Sequence, residues 1–397
     1  MFAIDAVRVF DGERLLPDGA LLIVEDGTIA GIEPRGTAVP ERCAVHRLTG
    51  ATVLPGLIDT HAHLCCDGAP DAISRLPDVA DLGAVVERSL AAHLAAGVTT
   101  VRDLGDRLWA VVDWRDANSA ARWPTVLASG PPITAPNGHC ATMGGEVEGE
   151  AGLRRAVAER AERGVDVVKI MASGGLMTPG TDVTRPQFTD QELRAVVAEA
   201  HARGLPVTAH AHPLRAIRGA VTAGVDGIEH CSFLTASGID IAPDLVAALV
   251  DAGIAVCPTL GAVPGSEPPP AVQEMLRAAG LTLEQGAVVW SRLHLGGVRV
   301  VSGTDGGIHP DKPHGILPES VIALVDGGTP AAAALATATS AAADACGLGD
   351  GKGRLRVGLD ADLVVLDGDP LSDVRALRAV REVYLRGHLV SPEGRAS

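Results

Sequence analysis

A helix end, a glycine and a strand start follow one another five times in this chain, at Ala96-Gly97-Val98, Arg163-Gly164-Val165, Arg203-Gly204-Leu205, Ala223-Gly224-Val225 and Ala252-Gly253-Ile254. Glycine closes a helix in the left-handed conformation, and the aliphatic residue after it opens the next extended run. The stretches around these junctions have helical character: Leu82–Ala96, Gly152–Arg163, Asp190–Arg203, Leu214–Ala223 and Pro243–Ala252. Between them lie eight short runs rich in Val, Ile and Thr: Gly56–His61, Thr99–Asp103, Thr125–Ser129, Val167–Met171, Pro206–His210, Gly227–His230, Ile254–Pro258 and Arg299–Gly303. Repetition of this kind predicts β/α units of similar build. Eight parallel strands with intervening helices are the count of a closed (β/α)8 TIM barrel, whose active sites gather at the carboxyl ends of the strands.

The two chain ends read differently. Residues 1 to 50 hold alternating segments, Ala3–Phe10, Ala20–Val24 and Thr28–Ile32, separated by Asp11-Gly12, Asp18-Gly19 and Asp26-Gly27. After a helix around Ser320–Val325 and an Ala-rich helix, Pro330–Ala342, the runs Gly358–Leu366 and Val380–Val390 return to the same texture. Each end alone is too short to bury a core. The expectation is a small β-sandwich built from both ends, residues 1–52 and 354–397, beside a barrel at 53–353. The class is α/β.

Composition narrows the function. With 33 basic and 49 acidic residues the formal charge is −16, and aromatics are 2%. A chain without a basic cluster or stacking platforms is not expected to bind nucleic acid. No apolar run is long enough to cross a bilayer and no basic, apolar leader opens the chain, so a cytoplasmic protein without a membrane partner is expected. The seven cysteines show no CxxC spacing, which speaks against a disulfide framework or a zinc-thiolate knuckle.

Chemistry-bearing residues collect at the ends of the expected strands. The stretch Leu54–Leu64, LPGLIDTHAHL, ends on Asp59, His61 and His63, and residues two apart on a strand point the same way. Lys169 sits in the fourth run, His210 ends the fifth, His230 ends the sixth and Asp305 follows the eighth. All should face one mouth. A satisfied core histidine or a structural carboxylate would explain any one of them, but not the whole set at the same end of the strands.

These motifs resemble the amidohydrolase superfamily along nearly the whole chain, most closely the branch containing Xaa-Pro dipeptidases and imidazolonepropionase-related hydrolases. The matching text is LPGLIDTHAHL, GVTTVRD at 97–103, VKIMASGG at 168–175, Gln187-Phe188, TAHAH at 208–212, GIEH at 227–230, SGTD at 302–305 and the tail GLDADLVVLDGDP. The resemblance implies two divalent ions, zinc by donor type. His61, His63 and Asp305 would bind one ion, and His210 and His230 the other. It also implies that Lys169 carries a CO2-derived carbamate bridging both, since a bare ammonium has donors only and repels a cation. His212 shares the face of His210 and could take its place; the family pattern favours His210 as ligand and His212 as a neighbour or substrate contact.

The function so implied is metal-dependent hydrolysis of an amide or peptide-like C–N bond in a small, carboxylate-bearing molecule, a dipeptide or N-acyl amino acid. A metal-bridging hydroxide would attack, with Asp305 as the base. His139, in the PNGHC loop, would polarise the carbonyl or hold the oxyanion, and Arg185 in DVTRPQF is a candidate partner for a substrate carboxylate, as is His212. The same metal pair could instead serve cyclic amides, lactones or organophosphate esters, and a non-catalytic assembly protein would be expected to have lost ligands, none of which is missing. A homo-oligomer is compatible with all of this.

Overall fold

The computed structural model describes residues 1–41, 43–118, 122–236 and 238–390. Alternating apolar residues between Asp-Gly turns form β1 (Phe2–Phe10), β2 (Leu15–Leu16), β3 (Ala20–Glu25) and β4 (Thr28–Glu33). A twelve-residue strand, β5 (Ala44–Pro55), then runs parallel to β1. It was not legible in the sequence because its first half, with Arg47 and Gly50, lacks alternation; the long partner β1 dictates it.

At Gly56 the chain passes from one sheet to another, so Leu54–Leu64 spans the end of β5 and the strand that follows. A Cβ at Gly56 would lie 2.0 Å from Thr99 Oγ1, and only glycine permits that approach. Beyond it β6 (Leu57–Ala62), β7 (Val98–Asp103) and β8 (Thr125–Ala128) form a parallel sheet. A second sheet contains β9 (Val168–Met171), β10 (Val207–Pro213), β11 (Gly227–Thr235), the short antiparallel β12 (Gly238–Ile239), β13 (Ala255–Cys257) and β14 (Arg299–Val300). Its order is β14-β13-β11-β10-β9, with β12 on β11. Each of the eight expected runs is represented by a strand. Parallel pairing also continues between the sheets, through the bridges Ile133–Ile170 and Ala62–Gly306.

The tail strands β15 (Leu363–Asp367), β16 (Val380–Leu385) and β17 (His388–Val390) join the N-terminal ones in a single sheet of order β17-β16-β15-β5-β1-β3-β4. Both chain ends therefore share one sheet, with β15 antiparallel to β5. Its buried face packs Ile4, Leu22, Ile29, Val53 and Val365. The larger core lies between the parallel strands and their helices, where Val101, Ile170, Val207 and Ile228 meet Leu90, Val157, Val196 and Ile217. Each such side chain contributes about 1.5–3 kcal/mol when removed from water.

Several helices depart from the sequence reading. Ala110–Ala117, Pro270–Ala279 and Leu283–Leu295 were not anticipated. The Ala-rich stretch is two helices, Ala331–Thr337 and Ser340–Ala345. The break falls at Thr339, whose hydroxyl is used on Leu335 O and Gly12 O.

Candidate metal centre

Seven of the expected residues, from four strands and the loop after β14, meet at the carboxyl ends. His61 lies in β6 and His63 one residue past its end; Lys169 is in β9, His210 and His212 in β10, and His230 in β11. Asp305 follows β14. In register, Lys169 sits beside Thr208 and Ala211 beside His230. Ligand atoms of His61, His63 and Asp305 all lie within 4.8 Å of one another, and so do those of His210, His212 and His230. The two groups adjoin: the ring centroids of His61 and His230 are 5.3 Å apart.

Hydrogen bonds decide which nitrogens face inward. His61 Nδ1 meets Glu229 Oε2 at 2.8 Å and His63 Nδ1 meets Gly105 O at 3.0 Å. Their Nε2 atoms reach Asp305 Oδ1 at 3.3 and 3.2 Å. His230 Nδ1 is held by Thr259 Oγ1 at 3.0 Å and His212 Nδ1 by Ser232 Oγ at 2.9 Å. His210 is reversed, with Nε2 on Gly174 O at 3.1 Å, which leaves its Nδ1 free. A ring nitrogen fixed by an outer partner orients the other nitrogen for a cation. His210 and His212 both stay within ligand reach.

Lys169 is the outlier. It is 1% exposed, and its Nζ has no hydrogen-bond partner among the described residues. Burial pulls its ammonium below the ordinary lysine range, although Glu229 and Asp305 oppose this. A buried amine without partners is a poor structural element and a good nucleophile for CO2. A carbamate there would present oxygen to the surrounding imidazoles, so the donor set fits a pair of divalent cations.

Residues beyond the expected set build the frame. Glu229 accepts from His61, from Arg102 Nη2 at 3.2 Å and from the Thr208 hydroxyl at 2.5 Å. Burial alone would raise its carboxyl, but His61, Arg102 and Lys169 hold it well below the carboxylate range. Asp59 accepts from the backbone N–H of His61 and Thr304 at 3.1 Å each, and from Thr304 Oγ1 at 2.7 Å. It thereby ties β6 to the loop that carries Asp305, and burial lifts its carboxyl to about 6. Asp305 and His230 have φ of +60° and +64°, a left-handed backbone that costs of order 1–3 kcal/mol and is held by this network. The text GIEH did contain Glu229, but its partner lies 168 positions away and no spacing reports it.

The ligand groups open into a cavity of about 760 Å³ that also exposes His139 and Cys140. His139 is buried, its Nδ1 meets Thr178 Oγ1 at 2.8 Å, and burial with nearby His212 depresses its imidazole to about 3. Gly175 makes room for it, since a Cβ there would be 2.4 Å from its Nε2. Arg185 is not brought to this cavity. It is exposed and borders a separate depression with Phe188 and Arg215. The other cations along the cavity are already engaged: Lys312 donates to Thr259 O, Gly261 O and Thr304 O, Arg375 pairs with Asp326, and Arg378 with Glu319. His309, which the sequence reading passed over, lines the cavity with Nδ1 held at 2.5 Å by Asp311. Cys65, Cys66, Cys140 and Cys231 are buried.

Residues 52–390 match the profile of the Amidohydrolase family. An uncharacterized protein of Mycobacterium bovis is 32% identical over 211 residues, 53% of this chain and 51% of that protein, so this match spans about half of the relative's length. The ochratoxinase of Aspergillus niger is 28% identical over 97% of this chain and 85% of its own. Among solved structures, a putative prolidase from Bifidobacterium longum superposes with a TM-score of 0.80 at 30% identity, covering 100% of this chain and 96% of that one. With a family match over most of its length and ligand residues assembled at the strand ends, the chain belongs to the amidohydrolase family.

Proposed function

We propose that the chain is a hydrolase that uses two divalent cations, zinc by donor type, to cleave the amide C–N bond of an N-acyl amino acid or dipeptide. The observation that carries this reading is that two imidazole-rich groups line one cavity together with the buried Lys169 amine, which has no hydrogen-bond partner among the described residues. His61, His63 and Asp305 would hold one ion, His210 and His230 the second, and a carbamate on Lys169 would join them. Bound there, the cations supply Lewis acidity toward the scissile carbonyl and make water acidic enough to react near neutral pH. Asp305 accepts the proton of the attacking water and passes it to the departing amine. With the Thr178 hydroxyl donating to His139 Nδ1, Nε2 of that imidazole carries hydrogen and can hold the developing oxyanion. His212 and His309 are the substrate-carboxylate partners, because the lysine and arginines of the cavity are spent on other groups.

The same reading takes the eight parallel strands as a closed (β/α)8 barrel at 53–353, supported by the two bridges between the sheets. The single sheet built from both ends is taken as the small β domain expected at 1–52 and 354–397, of which residues 391–397 lie outside the described residues. Similarity to a putative prolidase and to an ochratoxinase supports hydrolysis of a small molecule. The test is a panel of free dipeptides and N-acyl amino acids, with apolar or imino-acid C-terminal residues foremost, assayed against their C-terminal amides. Amides cleaved as fast as the free acids would remove the carboxylate contact. Turnover of lactones or phosphate esters alone would overturn the reading.

A further inference from the structure

The helix Pro270–Ala279 has no buried residue, yet it is amphipathic. Val272, Met275, Leu276 and Ala279 form a half-buried stripe, while Gln273, Glu274 and Arg277 face solvent, the last two ion-paired at 2.6 Å. Spacings of three and four place the stripe on one helical face. An ordinary surface helix seats such a face on packed core. Here Val272, Met275 and Leu276 instead line the cavity that holds the metal-ligand groups, with Ile239, Leu260 and Val263 also on its wall. Those three residues are likewise only half-buried. The wall contributed by the segments 239–241, 260–263 and 272–281 is therefore mostly aliphatic, and it is continuous with the imidazoles.

Resting on the hydrolase reading above, we propose that this wall forms an acyl chamber, and that the substrate carries a bulky apolar acyl group, a medium-length alkyl chain or an aromatic ring, on the carbonyl side of the scissile amide. The volume argues for it. A cavity of about 760 Å³ belongs to the range that encloses ligands larger than a dipeptide of small residues. The polar groups argue the same way. The imidazoles that can meet a carboxylate stand on the strand ends and the loop after β14, so the amino-acid half is held there and the aliphatic wall is left to the acyl half. An apolar stripe that neither packs on core nor faces open water gains a partner only when such a group enters.

The test uses the metal-loaded enzyme and a series of N-acyl amino acids from acetyl to octanoyl. Each methylene that enters the chamber is expected to raise kcat/KM by about fourfold until the chamber is full. Met275→Asn and, separately, Leu276→Gln should collapse the octanoyl-to-acetyl ratio to within about threefold, and Met275→Leu should restore it. Binding of N-octylsulfonyl and N-methylsulfonyl amino acids, whose sulfonamide is not a carbonyl substrate, is measured by calorimetry as a readout independent of turnover. Tighter octyl binding that both polar variants abolish supports the chamber even if no amide is cleaved, in which case the hydrolase reading alone fails. Hydrolysis with a flat chain-length profile, and equal binding of the two sulfonamides, would overturn the chamber and leave the hydrolase. Self-association in sedimentation that Met275→Asn disrupts would also overturn it, by assigning the stripe to a second copy of the chain.

Discussion

Lys169 is where the chemistry of a single residue is least compatible with a purely structural role. Its amine is buried without a hydrogen-bond partner among the described residues, in the cavity that the candidate ligand imidazoles also line. Lys169→Ala is expected to lose most activity and about half of the bound metal, and short carboxylic acids such as propionate should restore part of both by supplying the missing oxygens. Elemental analysis with and without propionate checks this, and full metal content in the variant would refute the carbamate. Asp305→Asn keeps the shape but removes the proton acceptor, and turnover should fall about 10²–10⁴-fold at saturating metal. Glu229 acts one layer further out, through His61 Nδ1. Glu229→Gln should weaken metal binding about 10–100-fold, measured by competition with a chromogenic chelator, while excess metal recovers most of kcat.

At the scale of elements, the helix Leu82–Ala95 is coupled to the loop after β14 by a pair of histidines, His93 buried and His314 half-buried. His314 Nδ1 lies 3.3 Å from His93 Nε2, and its Nε2 meets Cys66 O at 2.9 Å. His93 Nδ1 has no hydrogen-bond partner among the described residues and lies 3.9 Å from Asp59 Oδ2. Burial lowers His314 to about 4, the Cys66 carbonyl opposes this and His63 adds to it, while burial and His314 hold His93 well below the ordinary imidazole range. Above pH 6.5 both the folded and the unfolded chain hold these rings neutral, and stability is unaffected. As pH falls from 6.5 toward 4 the unfolded chain takes up protons that the folded one refuses, so stability declines, by about 3 kcal/mol for His314 once pH is below 4. Denaturant unfolding between pH 7 and 4 should therefore show a slope that His314→Gln reduces. An unchanged slope would mean that the loop opens to let the ring charge.

For the whole molecule, the proposed ligands come from four strands and the loop after β14 and are in place only when the parallel sheets are assembled, so metal binding at this centre would be thermodynamically linked to folding. The purified chain is expected to carry close to two equivalents of zinc or a similar ion, since five protein side chains and a carbamate exceed one tetrahedral site. Removing the metal with a chelator should lower the melting temperature by several degrees, because a ligand at about 1,000 times its Kd contributes about 4 kcal/mol. One equivalent in fully active enzyme would move the assignment to a single-ion centre.

Local chemistry was enough to read the glycine junctions, the eight extended runs and the pairing of the two chain ends, and it put His61, His63, Lys169, His210, His230 and Asp305 forward as the candidate ligands proposed above. Helix termination and strand propensity act within a few residues, and ligand types must be what they are for a cation to bind. Tertiary contact decided the rest. β5 exists because β1 offers it a partner, and Gly56 divides one apolar run between two sheets because Thr99 leaves no room for a Cβ. Glu229 becomes the support of His61, and Asp59 the latch on Thr304, across separations of 168 and 245 positions. Arg185, a plausible carboxylate partner by residue type, lies outside the cavity, while His309 stands on its wall. Which side chain faces a site is fixed by how a loop packs on distant strands, and that information is absent from the spacing of residues along the chain.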